Sequence, residues 1–226
     1  MKARLLLMGA LALSGCALLG KSDPLVPRYF SPEYDADPAA ARAPGGLQLR
    51  LGQVQGWPHL RERMVVRSSD RERSFREDWR WTEWPEVYLR RALARTLFEE
   101  RGLVESLSGR AVTLEVELLA FEELAAPRRV RLQARLLLRD DRLALLAETI
   151  TVEQPVEAGG PADPTGGVVE AFSRALRMGV TRLADRVVER LVARAGEAAA
   201  PQTFDERARG RPAGPAATPK PCEPRP

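Results

Sequence analysis

Three stretches in the middle of the chain alternate apolar and polar residues with a period of two, and they constrain the fold more than any other feature. Val112, Leu114, Val116 and Leu118 alternate with Thr113, Glu115 and Glu117. Val130, Leu132, Ala134, Leu136 and Leu138 alternate with Arg131, Gln133, Arg135 and Arg139. Arg139-Asp140-Asp141-Arg142 reads as a tight turn into a third run, Leu143 to Val152. Successive strand side chains point to opposite faces, so this pattern specifies a meander with one face on a core and the other in solvent. If the first two strands pair, the outward Glu115 and Glu117 face the outward Arg131 and Arg135.

The same period recurs upstream. Leu47, Leu49 and Leu51 mark one strand, Met64-Val65-Val66 a shorter one, and Phe75, Glu77, Trp79 and Trp81 share one face of a third. The period then changes to that of a helix. Pro85 suits a first helical position, Tyr88, Leu89, Ala92, Leu93, Thr96 and Leu97 form an apolar stripe, and Gly102 suits the end. After the breaker Asp163-Pro164-Thr165-Gly166-Gly167, the residues Val169, Phe172, Leu176, Val180, Leu183, Val187 and Leu191 mark a long amphipathic helix. Strands, helix, meander, helix is an α+β order: a single domain, mainly antiparallel, with two helices packed on one face of the sheet.

The N-terminus addresses the compartment. Lys2 and Arg4 precede an apolar run from Leu5 to Leu13, too short for the roughly 20 residues of a membrane span. Leu13-Ser14-Gly15-Cys16 follows at once and resembles the lipobox of bacterial lipoproteins, which implies a signal peptide over 1–15 and acylation of Cys16. Ala17, rather than Asp, follows the cysteine, and in such lipoproteins this favours the outer membrane, periplasmic face. Residues 16–46 hold five prolines and read as a lipidated, mostly extended tether, about 100 Å when fully stretched. Within it, Arg28-Tyr29-Phe30 is an aromatic patch suited to docking on the body. The body is expected over 47–194, and 195–226, rich in Ala, Pro and Arg, is expected to be a disordered tail carrying Cys222.

Composition excludes several function classes. The chain has 35 Lys+Arg, 31 Asp+Glu and a net charge of +4. The body alone carries 25 basic and 23 acidic residues, so the high isoelectric point is no argument for nucleic acid. Two cysteines cannot build a disulfide scaffold, and one histidine, His59, cannot join a histidine metal cluster. No GxxxxGK[ST], GxSxG or GxGxxG pattern occurs. Glu115 and Glu117 share a strand face, but their alternation with core residues makes them a solvated face rather than a catalytic pair. No catalytic, metal or cofactor-binding residue is proposed, and the expectation is a non-enzyme whose one attached group is the lipid on Cys16. Trp57, Arg80, Trp81 and Trp84 are the candidate partner surface, since Trp and Arg make good anchors, while core packing is the competing role of the tryptophans.

Leu47 to Val54, then Trp57-Pro58-His59-Leu60-Arg61, then Met64-Val65-Val66-Arg67 resembles the start of the ABC-type transport auxiliary lipoprotein family (PqiC-like). Arg80-Trp81-Thr82-Glu83-Trp84-Pro85 resembles that family's element before its first helix, and Arg90 to Leu97 its Leu/Ala-rich helix. The resemblance covers roughly Cys16 to Arg194, and in it Arg28-Tyr29-Phe30 stands where the family has a Tyr-x-Leu strand. It implies a non-catalytic auxiliary component of an MCE/ABC-type system that moves lipid between membranes, with an MCE-domain protein and an ABC permease as partners. Homo-oligomerisation is compatible with this reading. Two other roles suit a tethered α+β lipoprotein: regulation of a peptidoglycan synthase, and carriage of a lipid between the sheet and the long helix.

Overall fold

The computed structural model of the chain describes residues 24–34, 42–107, 111–157 and 166–199. The expected signal peptide, Cys16 and the tail beyond 199 lie outside the described residues. The elements in order are β1 (Arg28–Phe30), β2 (Gln48–Gly56), β3 (Arg63–Arg67), β4 (Arg73–Trp81), α1 (Pro85–Ala94), β5 (Val104–Glu105), β6 (Thr113–Leu124), β7 (Arg129–Arg139), β8 (Ala144–Pro155) and α2 (Gly166–Ala199). Helix α1 continues as a π-helical segment, Arg95–Glu100, and the chain leaves it through Gly102 at φ +72°. That left-handed conformation is costly for any residue with a Cβ, which is why a glycine stands there.

The meander forms as its alternation requires. β6 pairs antiparallel with β7, and β7 with β8. Leu114, Val116, Leu118, Val130, Leu132, Ala134, Leu136 and Leu138 are all buried. Both helices cover this apolar face, with the stripe from Phe172 to Leu191 of α2 fully inside. Helix and sheet touch closely at one point. A Cβ on Gly179 would lie 2.8 Å from Leu132 Cδ2, so any larger residue there must displace the buried Leu132 side chain. Among the described residues no helix is long and apolar enough to cross a bilayer.

The outward face pairs somewhat differently from the expected register. Glu117 stands opposite Arg135 and bonds to it, as expected. Glu115 stands opposite Leu137 and reaches diagonally to Arg139 Nη2 at 2.8 Å. Arg131 stands opposite Glu122 and bonds Glu153 of β8 at 2.9 Å. The carboxylates thus belong to a solvated ion-pair face. At the β7–β8 turn, Asp140 accepts from the backbone N–H of Arg142 and Leu143 and lies 2.6 Å from Arg194. Those two N–H donors, with Arg194, lower its carboxyl pKa to about 2.

The other edge of β6 is shared by two strands lying end to end. β2 runs parallel to its first half and β3 parallel to its second half. The register of β6 shifts between Leu118 and Ala120, opposite the break between them. This bulge changes the parity, so that Phe121 joins the main core cluster while Ala120 and Leu124 are buried outside it. β4 pairs antiparallel with β3, and β1 parallel with β4. The expected 16–46 tether is therefore interrupted. Arg28-Tyr29-Phe30 is a sheet strand, Pro32 is buried, and the Glu33 N–H donates to Ser173 Oγ at 2.9 Å. The fold begins some twenty residues before Leu47.

β8 is an edge strand, and among the described residues it pairs with β7 alone. An open edge twelve residues long invites another strand. Here four of its backbone acceptors are occupied by side chains. Arg174 donates to Pro155 O at 2.8 Å, Arg182 to Thr151 O at 3.4 Å and Arg190 to Leu145 O at 3.1 Å. Gln154 Nε2 takes Glu153 O at 3.0 Å. Replacing Arg174, Arg182 and Arg190 together by Ala is expected to leave the fold intact and produce concentration-dependent association. Sedimentation velocity over a range of concentrations reads this, and a variant that sediments like the wild type at every concentration contradicts it.

Candidate partner-binding surface

The loop between β2 and β3 sits over the β6 bulge. Leu60, fully buried, pins it from beneath, and its N–H donates to Trp57 O at 2.8 Å. The Trp57 N–H donates to Leu118 O at 3.1 Å, beside the register shift. This backbone leaves the Trp57 ring exposed, yet it is held: its indole N–H donates to Glu117 Oε1 at 2.8 Å. The other oxygen of Glu117 accepts from Arg135. Arg135 first, and then Trp57, holds the Glu117 carboxyl below the usual range. Glu117 and Arg135 also line a groove of about 440 Å³ together with Gln53, Gln55 and Leu137.

Trp84 is the N-cap residue of α1, ahead of Pro85. Its ring is exposed, and the Arg61 guanidinium lies 4.5 Å from its centroid. Arg61 also approaches Glu86 at 3.8 Å. Glu86 in turn fills the space beside Gly56, where a Cβ would come within 2.6 Å of its Oε2. Trp57 follows Gly56 directly, so Arg61 and Glu86 link the two tryptophans into one end of the molecule, with Val87 exposed beside them. A fixed ring and a ring stacked on a guanidinium lose little side-chain entropy on binding, which suits a protein partner.

His59 lies in the same loop, its ring 6.2 Å from Trp57 edge-on. Its Nε2 is buried and finds no hydrogen-bond partner among the described residues. Burial, and then the charge of Arg73, lower its pKa below 6.5, with Glu122 opposing them. The folded state therefore favours neutral His59, and the unfolded chain binds a proton first as pH falls. The stabilisation is complete above about pH 6.5 and is lost below it. His59→Gln should flatten the fall in urea midpoint between pH 7.5 and 5.5. Parallel pH profiles for the two proteins would contradict the assignment.

The four candidate residues separate. Trp57 and Trp84 are exposed and joined through Arg61. Trp81 is only 2 % exposed and packs against Phe121 and Phe172, with centroids 5.3 and 4.9 Å away. It is a core residue and drops out of the surface, because β4 turns its Trp79–Trp81 face inward. Arg80 spends its guanidinium on the backbone carbonyls of Arg76 and Trp79, away from the tryptophan end. Arg61, Glu86 and Val87 were missed: 23 residues separate Arg61 from Trp84, and only the return of the chain through β3 and β4 brings them together. Among the described residues no group of three or more His, Cys, Asp or Glu is placed to hold a metal ion.

The family model of the ABC-type transport auxiliary lipoprotein component matches residues 31–188, which span every element from β2 to β8 and most of α2. The crystal structure of protein XCC0632 from Xanthomonas campestris is similar, with 22% identity, a TM-score of 0.59, and coverage of 76% of this chain and 99% of that one. A second crystal structure, of an uncharacterized protein, has 16% identity, a TM-score of 0.54, and coverage of 73% and 97%. At these identities both likenesses concern the fold. No curated protein matches the chain.

Proposed function

Because the chain belongs to the ABC-type transport auxiliary lipoprotein component family, we propose that it is a non-catalytic adaptor, acylated at Cys16, that holds the outer-membrane end of an MCE/ABC-type lipid transport system from the periplasmic face. The family match over 31–188 carries this reading. An anchored adaptor works by effective concentration: confinement near the membrane turns a weak protein contact into a persistent one. The Trp57–Arg61–Trp84 end is the surface proposed to meet the MCE-domain protein or its permease. Carriage of lipid between the sheet and α2 gains no support, since Gly179 and Leu132 are in contact where an acyl chain would lie.

The test is crosslinking in the native cell followed by co-purification. An MCE-domain protein or its permease is expected with the wild type. Trp57→Ala with Trp84→Ala should cut its recovery by about thirtyfold or more, the loss of about 2 kcal/mol typical of an interface hot spot. A peptidoglycan synthase in place of the transport proteins, or no partner at all, would overturn the reading.

A further inference from the structure

The structure shortens the distance between the anchor and the body. If all of 16–46 were a free tether, the body could stand about 100 Å from the membrane. Arg28-Tyr29-Phe30 instead pairs with Trp79, Arg80 and Trp81 in the sheet. Twelve residue steps separate Cys16 from Arg28, a span of at most about 43 Å, and nine separate it from Leu25, at most about 32 Å. Helix α2 alone, with 34 residues, is about 51 Å long. The corner of the molecule at β1 is therefore held near the lipid, whatever the orientation of the rest.

That corner is apolar. Leu25, Val26 and Tyr29 are 55 %, 75 % and 63 % exposed. β1 bonds to β4 on one side, and among the described residues no strand lies on its other side. Pro24 and Pro27 flank Leu25 and Val26; each locks its own φ, and Pro27 also holds the preceding Val26 out of the helical region, which lowers the conformational cost of presenting the segment. Tyr29 has an apolar ring and a hydroxyl tip, the combination that settles at the headgroup level of a bilayer.

We propose that the segment Pro24–Tyr29 is a membrane seat: Leu25 and Val26 enter the headgroup–acyl boundary and Tyr29 lies at headgroup level, holding the β1 edge of the sheet against the lipid surface. The acyl anchor confines the segment, so three side chains suffice where they would not bind a membrane alone. The seat turns the β8 edge of the sheet, beyond β6 and β7 on the opposite side, away from the bilayer. The inference rests on acylation of Cys16.

The full mature lipoprotein, carrying Cys222→Ser and Val26→Cys, is labelled with an environment-sensitive fluorophore. It is then reconstituted into phosphatidylethanolamine/phosphatidylglycerol vesicles containing shallow doxyl-lipid quencher. Leu143→Cys, at an exposed leucine just before β8, is the control. Intact mass reports acylation independently. The label at position 26 is expected to be quenched at least about threefold more than the label at 143. An acylated protein with equal or weaker quenching at 26 overturns the seat alone. A chain that mass spectrometry finds without acyl groups overturns the anchor and the seat together.

Discussion

Replacing Arg67 and Arg73 together by Ala is expected to destabilise the protein by about 3–5 kcal/mol, the cost of leaving the buried Glu122 charge without its partners. The Glu122 side chain is 0 % exposed, and its two oxygens meet Arg67 Nη1 at 3.2 Å and Arg73 Nε at 3.1 Å. Both arginines come from the β3–β4 hairpin, and Arg131 stands directly opposite in β7. Without the two guanidinium groups the buried carboxylate loses both of its ion-pair partners, and Arg131 is already bonded to Glu153. Arg67 also pairs with Asp70 at 3.3 Å, but Asp70 is fully exposed, so Asp70→Ala should leave the urea midpoint nearly unchanged. Urea unfolding at pH 7 separates the two. A loss in the Arg67→Ala/Arg73→Ala protein as small as that of Asp70→Ala would mean that water screens the cluster and that the β3–β4 hairpin is held by packing alone.

The second large effect is at Phe172. Its ring is fully buried and meets Phe121 at 4.6 Å and Trp81 at 4.9 Å between centroids. This cluster joins α2 to β4 and to the part of β6 beyond the bulge, and Tyr88 of α1 adds an edge contact to Trp81 at 6.2 Å. Phe172→Ala removes the ring that three elements share, and the neighbouring rings are too large to collapse into the space. About 3–5 kcal/mol is expected, with loss of the near-ultraviolet circular dichroism of the packed aromatics. Val192→Ala, at an exposed position of the same helix, should change stability by less than about 0.5 kcal/mol. A Phe172→Ala protein within 1 kcal/mol of wild type would show that α2 is held by its C-terminal half, where Leu183, Val187 and Leu191 pack.

Periodicity made most elements legible. The helical stripe from Tyr88 to Leu97, the Pro85 start, the Gly102 exit and the three meander strands follow from spacing alone, because one face of each must leave water. Strand ends were less legible. β6 runs six residues past Leu118, and its parity changes within it. A bulge leaves no periodic signature, and the pair Glu122-Glu123 reads as surface until Arg67, Arg73 and Arg76 are placed against it. The partner surface divided in the same way. Trp57 and Trp84 were marked by residue type, Trp81 was marked wrongly for the same reason, and Arg61 carried no mark.

The sequence by itself determined the fold class, the two helical faces, the solvated ion-pair face of the meander and the family, since each depends on local period or residue type. The tertiary structure decided the pairing of β2 and β3 end to end along β6. It decided the burial of Glu122, the closure of the β8 edge by arginines of α2, and the capture of Arg28-Tyr29-Phe30 as a strand. Each of these joins segments far apart in the chain. Their energies come from contacts between groups that no local pattern brings together, so only the folded chain selects them.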